Sequence, residues 1–590
     1  MSFPWRALNI DLSTGRIRSS EVPESRARLF LGGRGLGARI LGDLTAPEME
    51  PLCPDTPLIV ATGPLTGAGV PSGDRFSLST LSPLTGTVLD TNSGGRLGRS
   101  LKRAGWDLLI IRGSAQNPSI LRVDSDGAKL LPAGELWGQG VSKVLGELEG
   151  AYGKGCGFAV IGPAGERVVR YASIMTERMR AMGRGGAGAV MGSKNLKAIV
   201  AMGNGEVPVH DRGRLKTVLE ESNRWLRAHP VTSKALPALG TPMMVNICTR
   251  AGIFPMANFR RVAVGESKAY SGEKLAREFT VGRSGCTGCY IRCGRITEVD
   301  GVKGEGPEYE SLWALGPNLD ICDLKTIIRA SHLCNELGLD TISTGGTLSC
   351  AMELGSLGIR RSSLTFGDPE SVLKAIGLIA AREGEGDELA EGSRILSRKA
   401  GAEEYSMQVK GLELPGYDPR GVQGQGLAYA TSSRGGCHLR GGYLIAREIL
   451  GIPKKISGRE VLGKGGHVAR AQDFGAVADS LSSCRFATFA LAQEYWSRMV
   501  SAVTGWEISG EDLMLAGERI INLERILNVE RGVGPELDSL PRRFLSEPLK
   551  EGACAGEVVR LDEMLDEYYA RRGWTDGIPD REKIEELGLA

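Results

Sequence analysis

Three cysteines within eight residues, Cys286-Thr-Gly-Cys289-Tyr-Ile-Arg-Cys293, constrain this chain more than any other feature. Thiolates spaced C-x2-C-x3-C converge on one face of a turn and hold a metal centre. Gly285, Gly288 and Gly294 let the backbone fold tightly around it, because glycine accepts φ > 0 without a Cβ clash. Three ligands need a fourth. A structural zinc ion usually brings a second C-x2-C or a histidine pair within about twenty residues; the nearest histidine here is His332. The three-cysteine cluster of radical chemistry on S-adenosylmethionine runs C-x3-C-x2-C, the reverse order. A four-iron (4Fe-4S) cluster held by four cysteines fits best, with its last ligand far away in sequence. Cys322, 29 residues beyond Cys293, and Cys484, 191 residues beyond, are the candidates, and local spacing favours Cys322.

At 590 residues the chain is too long for one core; about three to four domains is the expectation from length. A net charge of +2 with acids and bases interspersed excludes a polyanion-binding surface, and so nucleic acid as partner. No apolar run reaches membrane-spanning length. The first residues, Met1-Ser-Phe-Pro-Trp-Arg6, show no basic stretch leading into an apolar core, so a cytoplasmic protein is expected. Its twelve cysteines then read as thiols or metal ligands rather than disulfides. Glycine, 83 residues, is at about twice its usual share without a collagen-like period, which predicts many tight turns and close backbone approaches.

Residues 1–206 read as β-rich. Leu8, Ile10 and Leu12 alternate, Ser13-Thr-Gly15 turns and Arg16-Ile-Arg18 returns, a hairpin; apolar runs at Pro57–Ala61, Asp107–Arg112 and Phe158–Ile161 and a turn at Asp124–Gly127 continue the pattern. Gly32-Gly-Arg-Gly-Leu-Gly37 lacks the G-x-G-x-x-G spacing of a dinucleotide site and reads as a turn into the amphipathic segment Ala38–Leu44. Two further stretches, Asn92–Arg96 and Arg180–Gly188, mix glycine with arginine; exposed N–H groups beside guanidinium groups suit an anion. Val207-Pro208 marks a boundary, and 207–410 turns helical. Asp323–Leu337 is the clearest helix, with an apolar face, an Asp323 cap and a Gly338 stop; Asn335 and Asp340 beside it could face a ligand. Residues 411–590 are loop-rich and then helical, as at Glu518–Arg531.

The ordered motifs Thr62-Gly-Pro-Leu-Thr-Gly67, Gly183-Arg-Gly-Gly-Ala-Gly188, the C-x2-C-x3-C, Gly306-Pro-Glu-Tyr-Glu-Ser311, Asn335–Asp340, Tyr417–Gly421, Arg434-Gly-Gly-Cys-His438 and Gly573-Trp574 run the length of the chain. In them the chain resembles the aldehyde:ferredoxin oxidoreductases, tungsten-pterin enzymes. The resemblance implies an α+β fold: an N-terminal β-rich domain with pseudo-twofold symmetry as base for the cofactor, followed by two mainly helical domains. It implies one tungsten (molybdenum is the alternative) held by two molybdopterins whose phosphates share Mg2+. Arg75, Asn92, Gly94, Arg180 and Ala181 would lie against pterins and phosphates, Asn335 and Asp340 against one pterin, and Asp479 with Arg440 against the other. Cys484 becomes the favoured fourth ligand beside Cys286, Cys289 and Cys293. Glu310 and His438 would form the acid/base pair for oxidising an aldehyde, with Glu308 the competitor. Electrons would leave through the 4Fe-4S cluster to ferredoxin or a dedicated iron–sulfur subunit. The dimer iron held by E-x-x-H in some members has no counterpart, since no histidine here has Glu three residues before it; the assembly, homodimer or hetero-oligomer, stays open. The resemblance extends to the tungsten subunit of a benzoyl-CoA reductase, where a cysteine enters near the 306–311 motif. This chain has none between 294 and 321 and keeps Glu308 and Glu310, which favours aldehyde oxidation over that reaction; a plain electron-transfer subunit would not need the cradle of arginine and glycine loops.

Overall fold

The computed structural model describes residues 5–177, 180–265 and 267–590; most of the stretch read for an export signal, residues 1–4, lies outside them. The first twelve strands form two six-stranded sheets. Trp5–Asp11 (β1), Arg16–Val22 (β2), Leu58–Thr62 (β3), Phe76–Leu81 (β4), Val88–Ser93 (β5) and Leu108–Arg112 (β6) make the first, in the order β2-β1-β6-β3-β4-β5. Ser119–Asp124 (β7), Gly127–Pro132 (β8), Gly157–Ile161 (β9), Ile174–Met175 (β10), Ala181–Met182 (β11) and Leu196–Ala201 (β12) make the second, in the order β8-β7-β12-β9-β10-β11. The second order is the first with six added to every strand. In each sheet a leading hairpin pairs parallel with the sixth strand, which runs antiparallel to the third. The N-terminal part is therefore an internal repeat, and the expected pseudo-twofold base is present.

Period-two patterning builds this base in layers. Leu8, Ile10, Leu58, Val60 and Leu109 point into a core shared with Leu121, Ile161 and Ile199 of the other sheet. Trp5, Ala7, Ile59, Ala61 and Ile110 point the other way, onto the helix Gly33–Leu44 and the C-terminal helices. With both faces covered, strands such as Leu58–Thr62 read as continuous apolar runs. Helix Gly33–Leu44 begins inside the glycine stretch that reads as a turn from sequence. The reason is close approach: a Cβ on Gly33, already at φ +37°, would sit 2.5 Å from the Asp479 carbonyl oxygen.

The remaining chain is mainly helical. Leu324–Leu337 is capped by Asp323, which accepts from the Lys325 and Thr326 N–H groups, and stopped by Gly338 in the left-handed region, as the sequence predicts. The longest helix, Gly510–Glu530, opens on a Ser509/Asp512 capping box and packs on helix Lys464–Ser480, which also packs on Leu561–Arg572. Thr280–Ser284, Gly294–Val299 and Val302–Glu305 form a small antiparallel sheet. Among the described residues no helix is long and apolar enough to cross a membrane.

Candidate active site

Cys286, Cys289 and Cys293 sit on the loop between Thr280–Ser284 and Gly294–Val299. The turn after helix Lys464–Ser480 brings Cys484 to them: its N–H donates to the Ser72 carbonyl (2.9 Å), and the Ser72 hydroxyl lies 3.4 Å from Cys289 Sγ. On the other side a Cβ on Gly94 would stand 2.6 Å from Cys286 Sγ, so only glycine leaves room for that sulfur. The four cysteines line one cavity of about 380 Å³. Cys322 does not; it is half-buried beside Asp320 and Arg261. Among the described residues no three His, Cys, Asp or Glu side chains gather closely enough to hold a single metal ion. A tetrahedral zinc with Zn–S of about 2.3 Å needs sulfurs about 3.8 Å apart. Sulfurs spread around a cavity suit a wider, multi-iron group.

The same cavity gathers the other residues singled out from sequence: Arg75, Asn92, Arg180, Ala181, Asn335, Asp340, Arg440 and Asp479. They arrive from several elements. Arg75, just before β4, donates from Nη2 to the Asn92 carbonyl (2.9 Å) and from Nε to the Asn92 side chain, locking it to the end of β5. Arg180 pairs with Glu305. Asp340 caps helix Thr341–Ser356, accepting from the Ile342 N–H (3.0 Å), and takes Arg184 Nε at 3.1 Å. Asp479 lies 3.1 Å from Arg440 and 3.4 Å from Arg34, and Arg34 makes a two-pronged pair with Glu524, both contacts 2.7 Å. Burial pushes the Asp479 carboxyl up, but Arg440, Arg485, Arg34 and Arg75 outweigh it and hold the group below the usual aspartate range.

Arginines that sequence reasoning left without a role also line the cavity, among them Arg184, Arg434 and Arg485. Two stand inside motifs that were visible, Gly183-Arg184-Gly and Arg434-Gly-Gly-Cys-His438. What the sequence could not supply is their convergence. Arg184 bridges from the N-terminal base to the Gly436 and Glu413 carbonyls (3.0 and 2.6 Å), fixing the His438 loop over the base.

His438 lines both this cavity and a second chamber of about 570 Å³, and Glu310 lines the second chamber beside it. Glu310 Oε2 accepts the Gly416 N–H (2.8 Å), and its Oε1 lies 3.8 Å from His438 Nδ1; neither of those two facing atoms has a hydrogen-bond partner. Burial pushes the Glu310 carboxyl up to about 8. Burial, then Arg184, Arg434, Arg485 and Arg440, hold the His438 ring well below the usual histidine range. The pair is thus a protonated carboxyl facing a neutral imidazole near pH 7. Glu308 lines both spaces, but its Oε2 is taken by the Thr241 hydroxyl.

The model of the aldehyde ferredoxin oxidoreductase N-terminal domain matches residues 7–203, and that of domains 2 and 3 of the same enzymes matches residues 217–589. The chain belongs to the aldehyde ferredoxin oxidoreductase family. Within this family it is 45% identical to a tungsten-containing aldehyde ferredoxin oxidoreductase of Pyrococcus furiosus, covering 99% of this chain and 98% of that one. It is 44% identical to one of Thermococcus kodakarensis over the same shares. Its fold is that of the active-site complex BamBC of benzoyl-coenzyme A reductase, with TM-score 0.85 and 24% identity over 99% of this chain and 96% of that one. As a member of the aldehyde ferredoxin oxidoreductase family, this chain is an oxidoreductase of a tungsten-containing class.

Proposed function

We propose that the protein oxidises an aldehyde and water to a carboxylic acid at a tungsten bis-molybdopterin centre, passing two electrons through a 4Fe-4S cluster to ferredoxin or a partner iron–sulfur subunit. The observation that carries this reading is the Glu310–His438 pair, two orphaned buried atoms facing each other where an arginine-rich cavity meets an apolar chamber. The cavity suits the cofactor on its own chemistry. Arginines outnumber carboxylates in its walls, and buried Arg434 Nε and Arg485 Nη1 lack partners, as expected of a cradle for phosphates and an anionic dithiolene group. Arg75, Asn92, Gly94, Arg180 and Ala181 would hold it from the base and Asn335, Asp340, Arg440 and Asp479 from the later domains, and Mg2+ would offset the charge of its phosphates. Cys286, Cys289, Cys293 and Cys484 would hold the cluster.

When bound, the tungsten centre supplies the acceptor for the two electrons. The balance is RCHO + H2O → RCOO⁻ + 3 H⁺ + 2 e⁻, so the chain must orient a carbonyl and move protons. Glu310, protonated below about pH 8, donates from Oε1 to the aldehyde oxygen and polarises it. His438 Nδ1, neutral and unpartnered, takes the proton lost by the water.

Metal and pterin analysis of anaerobically purified protein tests the reading. Tungsten near one and iron near four atoms per chain are expected; zinc alone, without tungsten, molybdenum or pterin fluorescence, would overturn it.

A further inference from the structure

The chamber that opens off the cradle at Glu310 and His438 is apolar along much of its length, with Met243, Met244, Ile452, Phe474, Phe486 and Phe489 in its walls. Its other end is different. Arg447, on the short helix Ile445–Glu448, and His467 and Arg470, near the start of helix Lys464–Ser480, also line it. That helix measures the distance: at about 1.5 Å of rise per residue, Arg470 and His467 stand roughly 14 and 18 Å along its axis from Asp479 in the cradle.

The two arginines have no ion-pair partner. Arg447 Nη1 meets His467 Nδ1 at 3.3 Å, and among the described residues neither Arg447 nor Arg470 forms an ion pair. Burial, then Arg447 and Lys464, hold the His467 ring below its usual range, so it is the neutral acceptor that orients Arg447. Burial and then Arg470 push the Arg447 guanidinium below its ordinary value, the mark of two like charges facing one space. Two carboxylates on neighbouring stretches are already engaged. Glu448 is held by Lys464 and by the N–H groups of Gly424 and Gln425, and Glu567 by those of Gly463 and Gly466. Arg447 is half-buried and Arg470 exposed, and an anion that reaches the chamber's rim takes charge-assisted hydrogen bonds from both guanidinium groups.

We propose that this chamber takes aldehydes whose apolar chain ends in an oxyanion, which Arg447 and Arg470 bind while the aldehyde faces Glu310 and His438. The reacting end rests on the aldehyde-oxidation reading above; the anion subsite rests on the two arginines alone.

The test separates them. Titration calorimetry on the metal-loaded enzyme would compare decanoate, decyl phosphate and neutral decanol, three probes of one chain length. At least one anion is expected to bind ten-fold or more tightly than decanol, and the tighter of the two names the oxyanion. The Arg447→Gln/Arg470→Gln variant is expected to bring that ratio close to one, and Arg447→Lys/Arg470→Lys to keep most of it. Equal binding of all three probes by the wild type, or a ratio unmoved in the Gln variant, would overturn the subsite. Turnover is scored apart, with decanal against its carboxylate-ended counterpart. The expected signature is a lower KM for the latter, lost in the Gln variant. Tight anion binding with neither aldehyde oxidised would leave the subsite standing and remove the aldehyde chemistry.

Discussion

Glu310 gives the sharpest predictions at the scale of a single residue. Glu310→Gln keeps the shape of the side chain and removes its proton, so tungsten and iron content should hold while aldehyde turnover falls by about 10²–10⁴-fold; undiminished turnover would move the role to Glu308. The same group makes activity pH-dependent. A carboxyl raised from 4.5 to about 8 is protonated below that value and loses its proton above it. A donor role therefore predicts kcat level below about pH 8 and falling beyond. Stability follows the same sign. The burial of neutral Glu310 is fully favourable below its unfolded value and is lost progressively as pH rises through the folded one. The melting temperature of Glu310→Gln should gain on the wild type across that window and level off above it. At Gly94 the argument is steric. Gly94→Ala puts a methyl group 2.6 Å from Cys286 Sγ and should lower iron per chain, read by elemental analysis and visible absorbance. Gly150→Ala, where a Cβ meets nothing, should not.

Elements differ in how openly their sequence declares them. Helix Leu324–Leu337 has an apolar stripe, an aspartate cap and a glycine stop, and all three operate in the fold. Asp323→Ala should cost about 1 kcal/mol, read from the denaturant midpoint. Helix Lys464–Ser480 carries Asp479 toward the cradle and Arg470 toward the chamber, yet no such stripe marks it. Most of it is buried, and its buried polar residues are satisfied inside the protein: Asp473 pairs with Arg572 (2.6 Å) and Gln472 accepts from the Tyr568 hydroxyl (2.6 Å). Periodicity reveals a helix only where one face meets water. The repeat of the two sheets was hidden for a related reason. Strand order depends on which edges pair, and many side-chain sets fill the same pleated faces.

For the whole molecule, the N-terminal base and the C-terminal helices are joined by a buried chain of charges, Glu524–Arg34–Asp479–Arg440–Asp90. Removing one link strands its partner. Arg34→Met should cost about 3–5 kcal/mol by leaving Glu524 buried without its cation, and adding Glu524→Leu should recover much of that, measured by chemical denaturation. Glu524 and Asp479 are both held below their ordinary ranges in the fold. Their contribution is full above the unfolded carboxylate values and fades as pH falls through the lower folded ones. Two of these residues, Asp479 and Arg440, line the proposed cofactor cradle, so the joint between the two parts of the chain is also part of the wall of the site.

Read alone, the sequence determined what is local. The C-x2-C-x3-C loop, the leading hairpin, the capped helix at 324–337 and the glycine–arginine cradles each lie within a short stretch and follow from spacing and backbone preference. Its motifs also carried the family and the pairing of Glu310 with His438. Tertiary structure decided what depends on convergence. It brought Cys484 rather than Cys322 into the cavity with the other three cysteines, because the turn after a buried helix packs on Ser72. It added Arg184, Arg434 and Arg485 to that cavity, and it set Arg447 beside Arg470 at the rim of the chamber. Spacing along a chain limits only what neighbours can do; hydrophobic burial chose which distant segments met, and the charges they carried were then obliged to find each other or a ligand.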